Sequence, residues 1–96
     1  VTVMNDKSLL PVELRFDANN APYVITKPLH HSQKVLQQFE DGSIIIEINV
    51  HLNYELERLI LGFGASIEVL KPRNLRNRIK WYLKTASQHY ETKNPG

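Results

Sequence analysis

Between Ser43 and Val50 the apolar residues fall on every second position. Ile44, Ile46, Ile48 and Val50 share one face, while Ile45, Glu47 and Asn49 share the other. A face made wholly of branched aliphatics predicts a strand with one buried side. Asp41-Gly42 precedes it, and Gln33 to Phe39 ahead of that has strand spacing in Val35, Gln37 and Phe39. The two runs predict a hairpin, because Gly accepts the positive φ of a tight turn. After Val50 the period changes. Leu56, Leu59, Ile60 and Phe63 stand at i, i+3, i+4 and i+7, the buried stripe of a helix. Asn53 is its predicted N-cap, Glu55 and Glu57 lie in its electropositive first turn, and Gly64 suits the left-handed C-terminal position. Ile67 to Leu70 returns to strand spacing, and Pro72 ends it.

The flanking regions complete the order. Residues 1–10 read as an extended lead-in. Pro11 opens a strand with Val12, Leu14 and Phe16 on one face and Glu13, Arg15 and Asp17 on the other, which implies a sheet with one wet face. Asp17 to Pro22 reads as a turn, and Pro22 to Thr26 as a short helix with Ala21, Val24 and Ile25 on its apolar side. Leu29 to Ser32 is irregular. Asn74 is placed to cap a helix from Leu75 to about His89, with Leu75, Ile79, Tyr82, Leu83 and Ala86 as its buried stripe. Arg76, Lys80 and Lys84 follow one flank of it, and Trp81 projects roughly 120° from the stripe's centre. Residues 91–96 form a polar tail expected to fray. The sequence therefore predicts an α+β domain over residues 11–90, a ferredoxin-like β-α-β-β-α-β sandwich with an additional C-terminal helix. That fold hosts many unrelated functions and carries no functional claim.

Composition narrows the class. Apolar residues make up 42% and charged residues 23% of the 96, as in a globular domain. With no Cys, disulfides and thiolate zinc sites are excluded, which fits a reducing, cytoplasmic setting. No run approaches the length of a membrane helix, and no signal-peptide pattern opens the chain. Because it starts at Val1 rather than Met, a fragment of a longer protein is expected. Net charge is +2, but it is segregated. Residues 1–70 carry five basic groups against nine acidic ones, and residues 71–96 seven basic groups against Glu91 alone. Such a split suits an anionic partner at the C-terminal end, or a helix docked on an acidic neighbour.

Candidate chemistry is sparse. His30-His31, His51 and His89 lack ligand spacing, neighbouring histidines on a loop should point apart, and no Cys or acidic cluster completes a shell, so no metal or other cofactor is expected. Ser32 beside His31 has neither an orienting carboxylate nor an oxyanion hole. Gly62-Phe63-Gly64 ends a helix rather than cradling a phosphate. Glu40-Asp41 flanks a turn, and Glu55 and Glu57 sit where a helix dipole favours carboxylates. An enzyme is not expected. On the last helix, Arg73, Arg76, Lys80 and Lys84 could contact phosphates while Trp81 or Tyr82 stacks on a base. A solvated face with lysines near a helix C-terminus explains the charges more simply. Trp81 differs, since a large ring off the buried stripe marks a partner surface and should be exposed in the isolated domain.

Residues Leu14 to about Ile79 resemble a known family. The strand is followed by Ala-Pro-Tyr-Val-Ile, Pro-Leu-His-His-Ser-Gln, the Asp-Gly hairpin, Tyr-Glu-Leu-Glu-Arg-Leu-Ile-Leu-Gly-Phe-Gly, and Ile-Glu-Val-Leu-Lys-Pro-Arg-Asn-Leu-Arg. Together these resemble the C-terminal extension (WCX) domain that follows the WYL domain in bacterial transcriptional regulators. Ser32 and Gln33 match the family's Pro-Ser-Gln motif, and His31 replaces its Pro, losing a fixed φ. Trp81-Tyr82-Leu83 spells the family's letters, but in the family these lie in a preceding barrel, so the triplet is a coincidence. The resemblance implies a regulatory module without the DNA-reading helix, working beside a WYL barrel and a helix-turn-helix of the same full-length chain. It implies a homodimer and an effector, single-stranded nucleic acid in some members. His30, His31, Ser32 and Gln33 would then be the loop facing the effector or a partner domain. The alternative is a stand-alone ferredoxin-like protein–protein interaction module.

Overall fold

The computed structural model describes residues 8–91. Most of the expected lead-in and all but the first residue of the expected tail lie outside them. Four strands, β1 (Leu10–Phe16), β2 (Lys34–Gln38), β3 (Ile44–Val50) and β4 (Ile67–Lys71), form one antiparallel sheet in the order β2-β3-β1-β4. Helix α1 (Ala21–Thr26) links β1 to β2, and α2 (Tyr54–Leu61) links β3 to β4. A longer helix, α3 (Arg73–Glu91), follows. This is the ferredoxin-like architecture that the periodicity predicts.

The alternating residues do what their spacing requires. Val12, Leu14 and Phe16 of β1 lie in register with Ile48, Ile46 and Ile44 of β3, and all six are buried under the helices. Val69 enters the same layer from β4, and the helices contribute Ala21, Val24, Leu56, Ile60, Leu75 and Ile79. Phe63 meets Phe16 edge to face, with ring centroids 5.1 Å apart. The opposite face carries a row of charges. Lys34, Glu47, Glu13 and Lys71 stand in register across all four strands, and each lysine pairs with its neighbouring glutamate at 3.7 Å. The flanking lysines offset the repulsion between Glu13 and Glu47, which face each other directly.

Most of the punctuation also holds. Gly42 takes φ +96° in a three-residue loop between Phe39 and Ser43. Asp41 closes the loop by accepting from Ser43 N and Oγ. Asn53 Oδ1 caps α2 by accepting from Leu56 N at 2.8 Å. Gly64 does take φ +61°. However, α2 already ends at Leu61 with Gly62 as its C-cap, so Phe63 lies beyond the helix and Gly64 opens a short 3-10 turn (Gly64–Ser66) instead.

Several expectations need correction. In α2 the buried set is Leu56, Glu57 and Ile60, while Leu59 is exposed, because α3 packs beside the Glu57 side of the helix. In α1 only Ala21 and Val24 are buried, and Ile25 is exposed. All five residues of β2 are exposed, and Leu36 bulges between Val35 and Gln37. Helix α3 starts at Arg73, with Arg76 N donating to Pro72 O, so Asn74 lies inside the helix instead of capping it. Its stripe is buried only at Leu75 and Ile79, with Tyr82 half-buried. Leu83 and Ala86 are exposed, because the helix outruns the sheet beneath it.

Candidate binding surface on the last helix and the histidine loop

Helix α3 presents its Arg and Lys side chains in three directions. Arg78 turns towards α2 and grips Glu57 through both of its oxygens, with the second contact at 3.0 Å. Tyr82 OH donates to the same carboxylate at 3.1 Å. The hydrogen bond from Arg78, helped by that from Tyr82, holds the Glu57 carboxyl below its ordinary pKa despite burial. Arg76 turns the other way, to β4. Its Nη1 donates to Glu68 Oε2 and to the Val69 carbonyl, both at 2.8 Å.

The outer side holds the rest. Arg73, Lys80 and Lys84 make no ion pair among the described residues, and Trp81 beside them is 61% exposed. Trp81 touches Tyr82 edge to face at 5.4 Å between centroids. Of the five residues singled out on this helix, Arg73, Lys80, Trp81 and Lys84 are exposed, the two lysines towards the β4 side, and Arg76 is committed to the body of the domain. A flat ring flanked by unpaired cations can stack on a planar group while binding an anion attached to it.

The loop after α1 is tied down from inside. Gln33 Nε2 donates to the Val24 carbonyl at 3.0 Å, and Gln33 Oε1 accepts from Leu29 N at 2.9 Å. Ser32 Oγ accepts from Asn49 N at 2.8 Å and lies 2.7 Å from His30 Nδ1. Ser32 N also donates to that Nδ1, so a neutral His30 keeps its proton on Nε2. The two imidazoles do not diverge. They stack with centroids 4.1 Å apart, leaving His31 on the exposed side. Ser32 and Gln33 thus spend their polar atoms within the domain, and the loop offers a neighbour the two rings.

Sequence reasoning missed two features here. His51 comes from the end of β3 to share a cleft of about 260 Å³ with His30, floored by Ile48, Val50 and Leu56. No local motif links residues 21 positions apart, so only the sheet register could have shown it. The Glu57–Arg78–Tyr82 cluster was equally hidden, although Arg78 and Tyr82 are one turn apart on a helix. Among the described residues no group of three His, Asp or Glu is arranged to hold a metal, and no helix is long and apolar enough to cross a membrane.

No curated protein matches the chain. The family model described as the WCX domain matches residues 8–87, from two residues ahead of β1 to well into α3. With the sheet order, the Asp-Gly hairpin and the long closing helix already in place, that match shows that the chain belongs to the WCX domain family and is, at that coarse level, a WYL-associated regulatory domain.

Proposed function

We propose that this domain is the C-terminal regulatory part of a WYL-type helix-turn-helix transcription regulator in the cytoplasm. In that reading it works beside a WYL barrel of the same full-length chain, contributes to a homodimer and helps sense an effector. Single-stranded nucleic acid is the effector class that its surface fits best. No catalysis is assigned to it.

The observation that supports the nucleic-acid reading is the outer side of α3. An exposed indole shares the helix with Arg73, Lys80 and Lys84, which make no ion pair among the described residues. A purely structural helix gains nothing from holding Trp81 in water. Stacking on a base would remove that ring from water while Arg73, Lys80 and Lys84 approach phosphates.

Titration of the 96-residue chain with a labelled single-stranded oligonucleotide at two salt concentrations tests this. Three phosphate contacts predict a log–log salt slope of about −2. Arg73→Glu should flatten that slope, and Trp81→Ala should weaken binding without changing it. Binding that ignores salt, or no binding at low salt, would overturn the nucleic-acid reading and leave the charges as a solvated face of the helix.

A further inference from the structure

Another surface of α3 points to a different partner. Between α3 and β4 runs a groove of about 460 Å³. Ile67, Val69, Ile79 and Leu83 form its walls, and Lys80 and Lys84 stand on its rim. Glu68 is the one acid along it, and Arg76 already holds that group.

The apolar side of α3 does not stop at the groove. Ile79, Leu83, Ala86 and Tyr90 recur at intervals of four, three and four residues. They form one stripe, roughly 16 Å long at about 1.5 Å per residue. Exposure climbs along it from 6% at Ile79 to 46% at Leu83 and 87% at Tyr90. The first third of the stripe is covered by its own sheet, and the remainder projects past it.

We infer that this groove and stripe dock an acidic amphipathic helix of about three turns from a partner protein. Length excludes a small ligand, which could fill the groove but would leave Ala86 and Tyr90 uncovered. Strand addition is disfavoured because Arg76 occupies the Val69 carbonyl on the adjoining edge strand. The α3 of a second copy is disfavoured by charge, since it would set Lys80 and Lys84 against the same lysines. Nor does α2 of a second copy suit the groove, because one of its two glutamates, Glu57, is buried against Arg78 of its own chain. What fits is a helix with large apolar residues at i, i+3, i+4 and i+7 and carboxylates flanking them. This inference does not depend on nucleic-acid binding: the two surfaces share Lys80 and Lys84, but Arg73 and Trp81 lie outside the groove.

The test uses a labelled synthetic peptide with that leucine spacing and glutamate flanks, and a twin with lysine in place of each glutamate. Titrated into the 96-residue chain by fluorescence anisotropy, the acidic peptide should bind with a Kd on the order of 10 µM. The basic twin should bind at least about tenfold more weakly. Leu83→Glu should cost the acidic peptide about tenfold or more. The double variant Lys80→Glu, Lys84→Glu should reverse the preference between the twins, a result that loss of folding cannot imitate. Arg73→Glu and Trp81→Ala should leave the peptide's affinity within about twofold, which separates this site from the nucleic-acid surface. Equal affinity for both peptides, absence of binding, or sedimentation showing that Leu83 mediates self-association would each overturn the proposal.

Discussion

Glu57 and Arg78 form the one ion pair among the described residues in which a carboxylate is buried, at 7% side-chain exposure, while its guanidinium partner stays 59% exposed. The pair sits on the seam between α2 and α3, with Tyr82 OH on the same carboxylate. Solvent reaching Arg78 weakens the attraction, so the value of the contact lies mainly in satisfying a carboxylate that water cannot reach. Glu57→Gln should cost about 1 kcal/mol, lowering Tm by about 4–8 °C in a domain of this size. Thermal unfolding followed by far-UV circular dichroism measures this.

Acid should act on three carboxylates. Hydrogen bonds from Arg78 lower the pKa of Glu57, those from Ser43 lower that of Asp41, and those from Asn20 lower that of Asp17. For a depressed carboxyl the unfolded chain binds the proton first, so stability rises with pH across the titration. Their contribution is complete above the ordinary carboxylate range and is lost as pH falls below about 4, through the folded-state values. Urea midpoints measured down that range should fall, and Glu57→Gln should fall less steeply.

Gly42→Ala and Gly64→Ala should differ in a defined order. Both glycines have positive φ, which an alanine adopts at a cost of about 1 kcal/mol. At Gly42 a methyl would also stand 2.9 Å from Ala18 Cβ, whereas nothing lies within 4 Å of one at Gly64. Gly42→Ala should therefore be the more destabilising in chemical denaturation.

Gln33→Ala should loosen the histidine loop. It leaves the Val24 carbonyl and the Leu29 N–H without their shared partner, at a cost of about 1–2 kcal/mol. Hydrogen exchange at Leu29 should accelerate, and by more than in His31→Ala, whose ring lies on the exposed side of the stack.

Trp81 is the only tryptophan, which makes its emission a direct probe. At 61% exposure it should emit as a solvated indole and be quenched by iodide. Trp81→Ala should change stability by less than about 0.5 kcal/mol.

The elements most legible in the sequence were those fixed by neighbours in the chain. The aliphatic alternation of β3, the Asp-Gly turn and the Asn53 cap each depend on a few consecutive residues. Less legible was anything set by an element arriving from far away. Glu57 replaces Leu59 in the buried set of α2 because Arg78 and Tyr82 come from another helix to receive it. Leu83 and Ala86 have the right phase for burial, but nothing in their spacing reveals that the sheet ends before they do. Trp81 was readable because exposure follows from helical phase alone. The commitment of Arg76 to β4 was not, since only the fold brings Glu68 beside it.

The bond from Arg76 to the Val69 carbonyl has a further effect at the rim of the sheet. On β4 that acceptor is taken and Leu70 breaks the ladder, while on β2 the bulged Leu36 interrupts it. Neither border gives a second molecule an unbroken template of donors and acceptors. Edge-to-edge pairing of two sheets is thereby disfavoured at both of the open borders, although apolar side chains stand in water beside them.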